Sequence, residues 1–404
     1  MSGVPGARYL PRELDGPLAD AVRSFPIVVL DGPRGVGKTT SALRLVRSTV
    51  ELPRDLERMR IDAEAFLAEL PTPVLIDEWQ IAGTDLLWTL KRLVDADPTP
   101  GRFILTGSVE PATYGPTYPL TGRAVRLVMR PMTMSELDGR GGQRSFIAGL
   151  AAGERPSPTA GQPARFEMGW LTRAGFPAVR NMADAALFLE GYGALVSQRA
   201  GDEGRDASRL LRTMRVLATL EGQAVPDQRI WESADINKAT WKDYDDLLER
   251  THLAVPSPAF ESNRLKRLTT YPKRFLADTA LALALAGLDA ARLVDDPTLA
   301  GPYVESSVMQ QLRPQIDGVG GTLSHLRTGA GQHEIDAIVE IGLDVYAFEV
   351  KHGSNPSRAD ARHIEWFRDG LDDRFVAGFV VHTGGDTSSL GDRIWAIPVH
   401  LLGG

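Results

Sequence analysis

A chain of 404 residues, 43% hydrophobic and 24% charged, is long enough for two or three folded domains and too apolar to be disordered by default. It contains no cysteine, which excludes disulfides, thiolate metal ligands and cysteine nucleophiles, and its net charge of −7 argues against a broad polyanion-binding surface. No basic-then-apolar leader opens it and no run reaches the ~18 apolar residues of a membrane span, so a cytoplasmic protein with no membrane association is expected.

In chain order, Tyr9-Leu10-Pro11-Arg12 leads into a helical pattern over residues 14–22. Such a lead-in either covers a nucleotide base or is simply an N-terminal helix. The apolar run Ile27-Val28-Val29-Leu30 then meets DGPRGVGKTT at 31–40, followed by a helical stretch over 41–46. Read as G-x-x-x-x-G-K-[ST], Gly32, Gly37, Lys38 and Thr39 fall in the phosphate-loop pattern, between the strand and helix it requires. Pro33, Arg34, Gly35, Val36 and Thr40 complete the loop. Glycines let backbone N–H groups curl around phosphate oxygens, and the helix start points its positive end at the same anion. Lys38 reaches the β- and γ-phosphates and the Thr39 hydroxyl ligates Mg²⁺ in this pattern. The plainer alternative is a Gly-rich turn before a helix. The expected cofactors are ATP and Mg²⁺.

Pro73-Val74-Leu75-Ile76-Asp77-Glu78 reads as a buried parallel strand with acids at its C-terminal tip, the edge where open α/β sheets bind ligands. Asp77 would hold Mg²⁺ through water, and Glu78 would orient and polarise the attacking water. A helix over 88–94 precedes another buried strand, 102–105, ending in Thr106-Gly107-Ser108. Thr106 or Ser108 is the candidate sensor of the γ-phosphate, against a simple polar turn. Next comes Leu120-Thr121-Gly122-Arg123, and Arg123 is the candidate arginine finger, in cis or from a neighbouring subunit of an oligomer. A structural or surface arginine is the alternative.

This first domain, a P-loop α/β domain with a parallel sheet, is expected over 1–138. Residues 139–165 are rich in Gly, Ala, Pro and Ser and read as a flexible linker or loop. A helical region over 166–274 follows. In it, helices at 228–234 and 239–249 flank a turn at Asp235-Ile236-Asn237, and strands at 253–255 and 268–271 suit a wing. Asp243, Asp245 and Asp246 on the second helix oppose phosphate contact, whereas Arg264, Lys266, Arg267, Lys273 and Arg274 give the wing a basic face for DNA. DNA binding and a winged-helix-like fold used for packing or a protein partner are the two readings. The Ala-rich stretch 276–288 is expected to be a buried helix.

The final domain, expected over 275–404, carries a second constellation. Residues 334–341 and 345–351 alternate as strands, and Gly342-Leu343 suits a two-residue hairpin turn. Pairing Ile341 with Asp344 puts Asp336 opposite Glu349, with Lys351 two positions along the same face. That is the D…E-x-K arrangement of metal-dependent nucleases, in which acids share Mg²⁺ and Lys helps activate water. Glu305, in a helix expected over 303–312, is a further candidate ligand. The alternative is an exposed hairpin face with a salt-bridged lysine.

Together these residues resemble the prokaryotic ATP-binding proteins that join an AAA+-type (AAA_14) ATPase domain to a C-terminal DUF4143 region. Matching pieces occur in order: YLPR, GPRGVGKTT, LIDE, ILTGS, LTGR, the GFP of RAGFP, YPKRFLADT, YVE with Glu305, HEIDAIVE, AFEVK and GDRIWAIPVHLL. The resemblance implies an AAA+ core, a winged-helix-like middle and a C-terminal α/β fold similar to PD-(D/E)xK nucleases. It assigns Lys38, Thr39, Asp77 and Glu78 to ATP and Mg²⁺, and Asp336, Glu349 and Lys351 to the nuclease-like motif.

Three functions fit this organisation. One is a Mg²⁺-dependent ATP-hydrolysing switch acting on DNA or a DNA-associated partner. The second is an ATP-gated metal-dependent nuclease. The third is a non-catalytic, ATP-bound regulator of a protein partner, of the defence or toxin–antitoxin kind.

Overall fold

Residues 9–107, 118–156, 166–180, 182, 184–202, 204–260, 271–328 and 332–403 are described in the computed structural model of the chain. The chain divides into two units, Met1–Arg130 with Arg250–Leu253, and Pro131–Glu249 with Ala254–Gly404.

The first unit is an α/β fold on a five-stranded sheet in the order β2-β3-β4-β1-β5, parallel throughout. Its strands are β1 (Ile27–Asp31), β2 (Ser48–Glu51), β3 (Val74–Asp77), β4 (Phe103–Thr106) and β5 (Ala124–Val128). The helices are α1 (Asp15–Ser24), α2 (Lys38–Ala42), α3 (Leu56–Ala68) and α4 (Gly83–Ala96). β1 and β4 are buried along their whole length, which explains their unbroken apolar sequences. Leu87 and Leu90 of α4 pack with Trp79 and Phe103 in one core. The helix expected over 41–46 instead starts at Lys38 and ends at Ala42.

β4 lies between β1 and β3, and the register aligns Leu30, Thr106 and Asp77 in one row across the three strands. The loop after β1 and the acids after β3 therefore share one edge of the sheet, with Thr106 between them.

In the second unit α5 (Met134–Leu137) precedes the segment expected to be a linker, and that segment contains helix α6 (Phe146–Ala151). Ile147 and Leu150 are buried in the core of the C-terminal sheet, so this part of 139–165 is packed structure; residues 157–165 lie outside the described ones. Its low periodicity hid a six-residue helix capped by the Ser145 side chain. α7 (Ala185–Asp202), α8 (Ala207–Thr219), α9 (Asp227–Ser233) and α10 (Lys238–Arg250) follow, then antiparallel strands β6 (Ala254–Ser257) and β7 (Lys273–Leu276). The second strand thus starts two residues after the expected 268–271, of which 268–270 lie outside the described residues. Helix Thr279–Ala286 is buried along its length apart from the final residue, as its Ala/Leu sequence suggests, and Asp278 caps it.

A mixed six-stranded sheet completes the unit, in the order β12-β13-β11-β10-β9-β8. Its strands are β8 (Thr322–Arg327), β9 (Glu334–Ile341), β10 (Asp344–Lys351), β11 (Phe375–His382), β12 (Ser388–Gly391) and β13 (Ile394–Pro398). Both faces of the β9–β10 hairpin are covered. Ala337, Val339 and Phe348 pack with Val308 and Leu312 of helix Pro297–Gly318, while Ile338, Val345 and Ala347 pack with Ile364 and Phe367 of helix Arg362–Asp369. The hairpin is therefore not an exposed face, although the salt-bridged lysine of that alternative is present, as Lys351 with Glu349.

Candidate functional site

At the tip of β1, Gly32 has φ +140°, and a Cβ there would lie 2.1 Å from the Met129 carbonyl oxygen, so only glycine fits. Gly35 and Gly37 also take positive φ, turning the chain into α2. Lys38 is buried and folds back over this loop, its Nζ donating to the carbonyls of Gly32 (2.7 Å) and Pro33 (2.9 Å). Burial lowers the Lys38 pKa to about 8 against the pull of Glu78, Asp31 and Asp77.

Thr39 Oγ1 donates to Asp77 Oδ1 at 3.0 Å, and Thr106 Oγ1 donates to the same carboxylate oxygen at 2.6 Å. Asp77 is thus held from the phosphate-type loop on one side and from β4 on the other. Glu78 follows with φ +54°, a left-handed backbone that a non-glycine residue rarely adopts. Its carboxylate accepts from the Gln80 side-chain amide. Lys38, Thr39, Asp77, Glu78 and Thr106 therefore gather at one sheet edge, and Ser108 lies outside the described residues.

Arg123 does not join them. It precedes β5, whose first residue, Ala124, pairs with Ile27 at the opposite end of β1, and its Nε pairs with Asp95 of α4. Asp31 lies four residues further along β1 from that end, about 13 Å at ~3.3 Å per step. The finger role in cis therefore has no geometric support.

Four residues passed over in the sequence bear on the loop. Arg12 is buried, its guanidinium donating to the carbonyls of Val36 (2.8 Å) and Arg130 (2.7 Å). Tyr9 bonds Asp15 and Ser41 and lies under the Arg44 guanidinium, 3.9 Å from its ring centre, so the YLPR lead-in is fastened to the loop's helix. Asp31 pairs with Arg126 at 2.9 Å, and burial raises its pKa to about 6. His252 belongs to the 250–253 segment that clusters with this unit; burial, with Arg130 and Lys38 nearby, lowers its pKa to about 4. Only the YLPR motif gave a signal for any of them.

The second unit holds the other constellation. β9 and β10 pair in the expected register from Ile341 with Asp344 to Ala337 with Phe348, one step short of Asp336 and Glu349, which lie close enough to interact electrostatically. Asp336 Oδ2 accepts from the Val350 N–H at 2.9 Å, and Lys351 Nζ donates to Glu349 Oε1 at 2.7 Å. Glu305 joins from helix Pro297–Gly318. Burial and the neighbouring Asp336 charge push Glu305 and Glu349 up to about 8. A pocket of about 570 Å³ opens over these groups and is lined also by Arg229, Arg327 and His352.

Lys273 is the unexpected member. Assigned to a basic wing from sequence, it is buried, with 3% side-chain exposure, and donates to Glu305 (2.8 Å) and Asp336 (2.9 Å), with Glu334 at 3.5 Å. Burial works against its charge, but Asp336 and Glu305 outweigh it and its pKa is raised. Arg274 is equally withdrawn from solvent, paired with Asp245 at 2.8 Å and Asp227 at 3.1 Å. The expected DNA-facing role of these two is therefore corrected: the acids of α10 and the C-terminal cluster hold them inside the protein. Arg264, Lys266 and Arg267 lie outside the described residues.

Comparison with known proteins accords with this division. Residues 24–138 match the AAA domain family, and residues 300–402 match the domain of unknown function DUF4143. The chain is an AAA-domain protein with a C-terminal DUF4143 region. Residues 171–292 of this AAA-domain protein also match a second domain of unknown function, DUF8612. Uncharacterized proteins of Mycobacterium tuberculosis and Mycobacterium bovis are each 27% identical to it, over 97% of this chain and 84% of theirs. Among solved structures it is similar to a Walker-type ATPase of Pyrococcus abyssi, at 14% identity over 69% of this chain and 98% of that one, with a TM-score of 0.43. Similarity to Cdc6p of Pyrobaculum aerophilum is 15% over 73% and 97%, with a TM-score of 0.25. Among the described residues of the AAA-domain protein, no helix is long and apolar enough to cross a membrane.

Proposed function

We infer that this AAA-domain protein is a Mg²⁺-dependent, ATP-hydrolysing switch whose output is a DNA or DNA-associated partner engaged through its second unit. The observation that carries the reading is the row at the sheet edge, where Asp77 is hydrogen-bonded by Thr39 from the loop and by Thr106 from β4. Loop N–H groups between Gly32 and Thr40 bind and orient the phosphates, and Lys38 shifts from its own loop carbonyls to the β- and γ-phosphate oxygens. Thr39 and Asp77 fit a Mg²⁺ site, since one hydroxyl and one carboxylate already converge there; bound Mg²⁺ supplies charge neutralisation at the phosphates. Glu78 orients and polarises the attacking water. Thr106 reads the state of Asp77 and passes it into the strand.

Helices α8–α10 followed by the β6–β7 pair support a winged-helix-like middle, and the β9–β10 pairing that leaves Asp336 beside Glu349 supports a C-terminal fold of the PD-(D/E)xK kind. With Lys273 and Arg274 buried, the basic residues left from the expected DNA contact are Arg264, Lys266 and Arg267, which lie outside the described residues.

ATP binding and turnover of wild type, Lys38→Ala and Glu78→Gln, each with and without DNA, test the reading. Lys38→Ala is expected to lose both, while Glu78→Gln keeps binding and loses turnover. Normal hydrolysis by Glu78→Gln removes Glu78 from the mechanism. Stimulation by DNA supports the DNA arm; turnover indifferent to any nucleic acid leaves a protein partner as the output.

A further inference from the structure

The carboxylates that a metal-dependent nuclease would use are in place, but both oxygens of Asp336 and one each of Glu305 and Glu349 already have partners. Asp336 gives Oδ1 to the Lys273 ammonium and Oδ2 to the Val350 N–H. Glu349 gives Oε1 to Lys351, and Glu305 gives Oε1 to Lys273. Glu349 Oε2 is buried without a hydrogen-bond partner. Mg²⁺ asks for near-octahedral oxygen ligands at 2.0–2.1 Å, several of them from water. Here the point equidistant from Asp336 and Glu305 is taken by a buried ammonium within 2.9 Å of both. Among the described residues, no group of three His, Asp or Glu side chains is arranged to hold a metal ion. The residues present do not fit the ion that the nuclease-like reading implies.

We propose that Lys273 is the resident cation of the C-terminal acid cluster and that it excludes a divalent metal from this site. The lysine is not a loose side chain that wandered in. β7 fixes its backbone by pairing Lys273 with Ser257, and the neighbouring Arg274 is clamped by Asp227 and Asp245. Further along β7, the Leu276 N–H is held by the buried Glu221 carboxylate. One ammonium thereby joins β7 to helix Pro297–Gly318 through Glu305 and to β9 through Asp336. The acids kept from a nuclease-like fold become the seat of an internal ion pair network. Its chemical role changes accordingly: the cluster orders the two-stranded sheet against the C-terminal sheet, and metal-dependent phosphodiester cleavage is lost. A lysine delivers one charge from a fixed direction, whereas a metal would need to be captured from solution and would leave with a chelator.

This inference rests on the nuclease-like reading of β9 and β10, and Mn²⁺ binding to the nucleotide-free full chain tests both separately. Electron paramagnetic resonance of free Mn²⁺ counts the sites. Wild type and Lys273→Arg, which keeps the charge, are expected to show no site that depends on Asp336. Lys273→Met, similar in length and uncharged, is expected to gain one Mn²⁺ per chain, abolished again when Asp336→Asn is added. If wild type binds Mn²⁺ and Asp336→Asn loses it, exclusion by Lys273 is overturned while the nuclease-like reading stands. If folded Lys273→Met binds none, the cluster is no latent metal site and both ideas fall. Should Lys273→Met fail to fold, Lys273→Gln takes its place in the same titration, and Asp336-dependent Mn²⁺ binding by wild type overturns the exclusion in either case.

Discussion

Asp77 and Thr106 are register partners on adjacent parallel strands, and the Thr106 hydroxyl donates to Asp77 Oδ1 at 2.6 Å. The bond ties the carboxylate proposed to manage Mg²⁺ to the strand that separates it from the loop. Thr106→Val keeps the shape and β-branching and removes only the donor. Hydrogen bonds to charged groups contribute ~1.5–3 kcal/mol, so ATP turnover is expected to fall about 10- to 100-fold with nucleotide affinity changed much less. Steady-state hydrolysis alongside fluorescent-nucleotide binding checks this. Equal losses in both, or in neither, would detach Thr106 from the chemistry.

Why that site was readable from sequence, and the rest less so, follows from range. The loop at 31–40 is a local device, in which positive φ at Gly32, Gly35 and Gly37 and a helix start at Lys38 are written in consecutive residues. The β9–β10 register was likewise local, since a two-residue turn fixes which residues oppose. Lys273 was misassigned because its partners lie 32 and 63 residues away, and a lysine among basic neighbours looks like a solvated face until burial is known. The Asp243, Asp245 and Asp246 run misled in the same way: Asp245 is a counter-charge for Arg274 and Asp243 for Arg205. Arg123 followed a motif, but only the strand order shows which end of the sheet it occupies.

Arg12 illustrates how a lead-in can support a loop it never touches in sequence. Its two hydrogen bonds, to the carbonyls of Val36 and Arg130, staple the inside of the phosphate-type loop to the segment after β5. Arg12→Met preserves the aliphatic packing and leaves both carbonyls short of a donor. A destabilisation of roughly 1.5–3 kcal/mol is expected from bonds of this type, with weaker ATP binding as the loop loosens. Urea unfolding and a nucleotide titration on the same preparation measure the two effects. Unchanged ATP affinity in a destabilised variant would reduce Arg12 to a purely structural residue.

Arg123 gives a test of geometry against motif. Its partner Asp95, also bonded by Lys91, is drawn down to about 2 by the Arg123 hydrogen bond, and the pair stands at the sheet edge remote from Lys38. Arg123→Ala is therefore expected to leave ATP turnover per chain within about two-fold in dilute solution, since exposed ion pairs contribute little. A role in trans would show as a rate that rises with protein concentration in wild type and not in the variant. A large loss at every concentration would mean that Arg123 reaches its own chain's nucleotide, against the strand order seen here.

His325 carries the pH prediction. It is fully buried on β8, with Nδ1 on the Ser257 carbonyl at 2.9 Å and Nε2 without a partner, so it is held as the neutral ring. Burial, with Lys273 adding repulsion, lowers its pKa from 6.5 to about 4. The unfolded chain therefore takes up a proton between pH 6.5 and 4 that the folded chain refuses, and stability from this group, complete above 6.5, is lost as pH falls through that window. Between pH 7 and pH 5 the loss amounts to at most about 2 kcal/mol. His325→Gln keeps an N–H for Ser257 and cannot titrate, so the wild-type-minus-variant difference isolates the histidine from every other group. Hydrogen exchange of the β8 amides at the two pH values is the measurement, and wild type is expected to lose protection at pH 5 that the variant retains. Parallel losses in both proteins would mean that the buried ring is not what makes this sheet sensitive to acid.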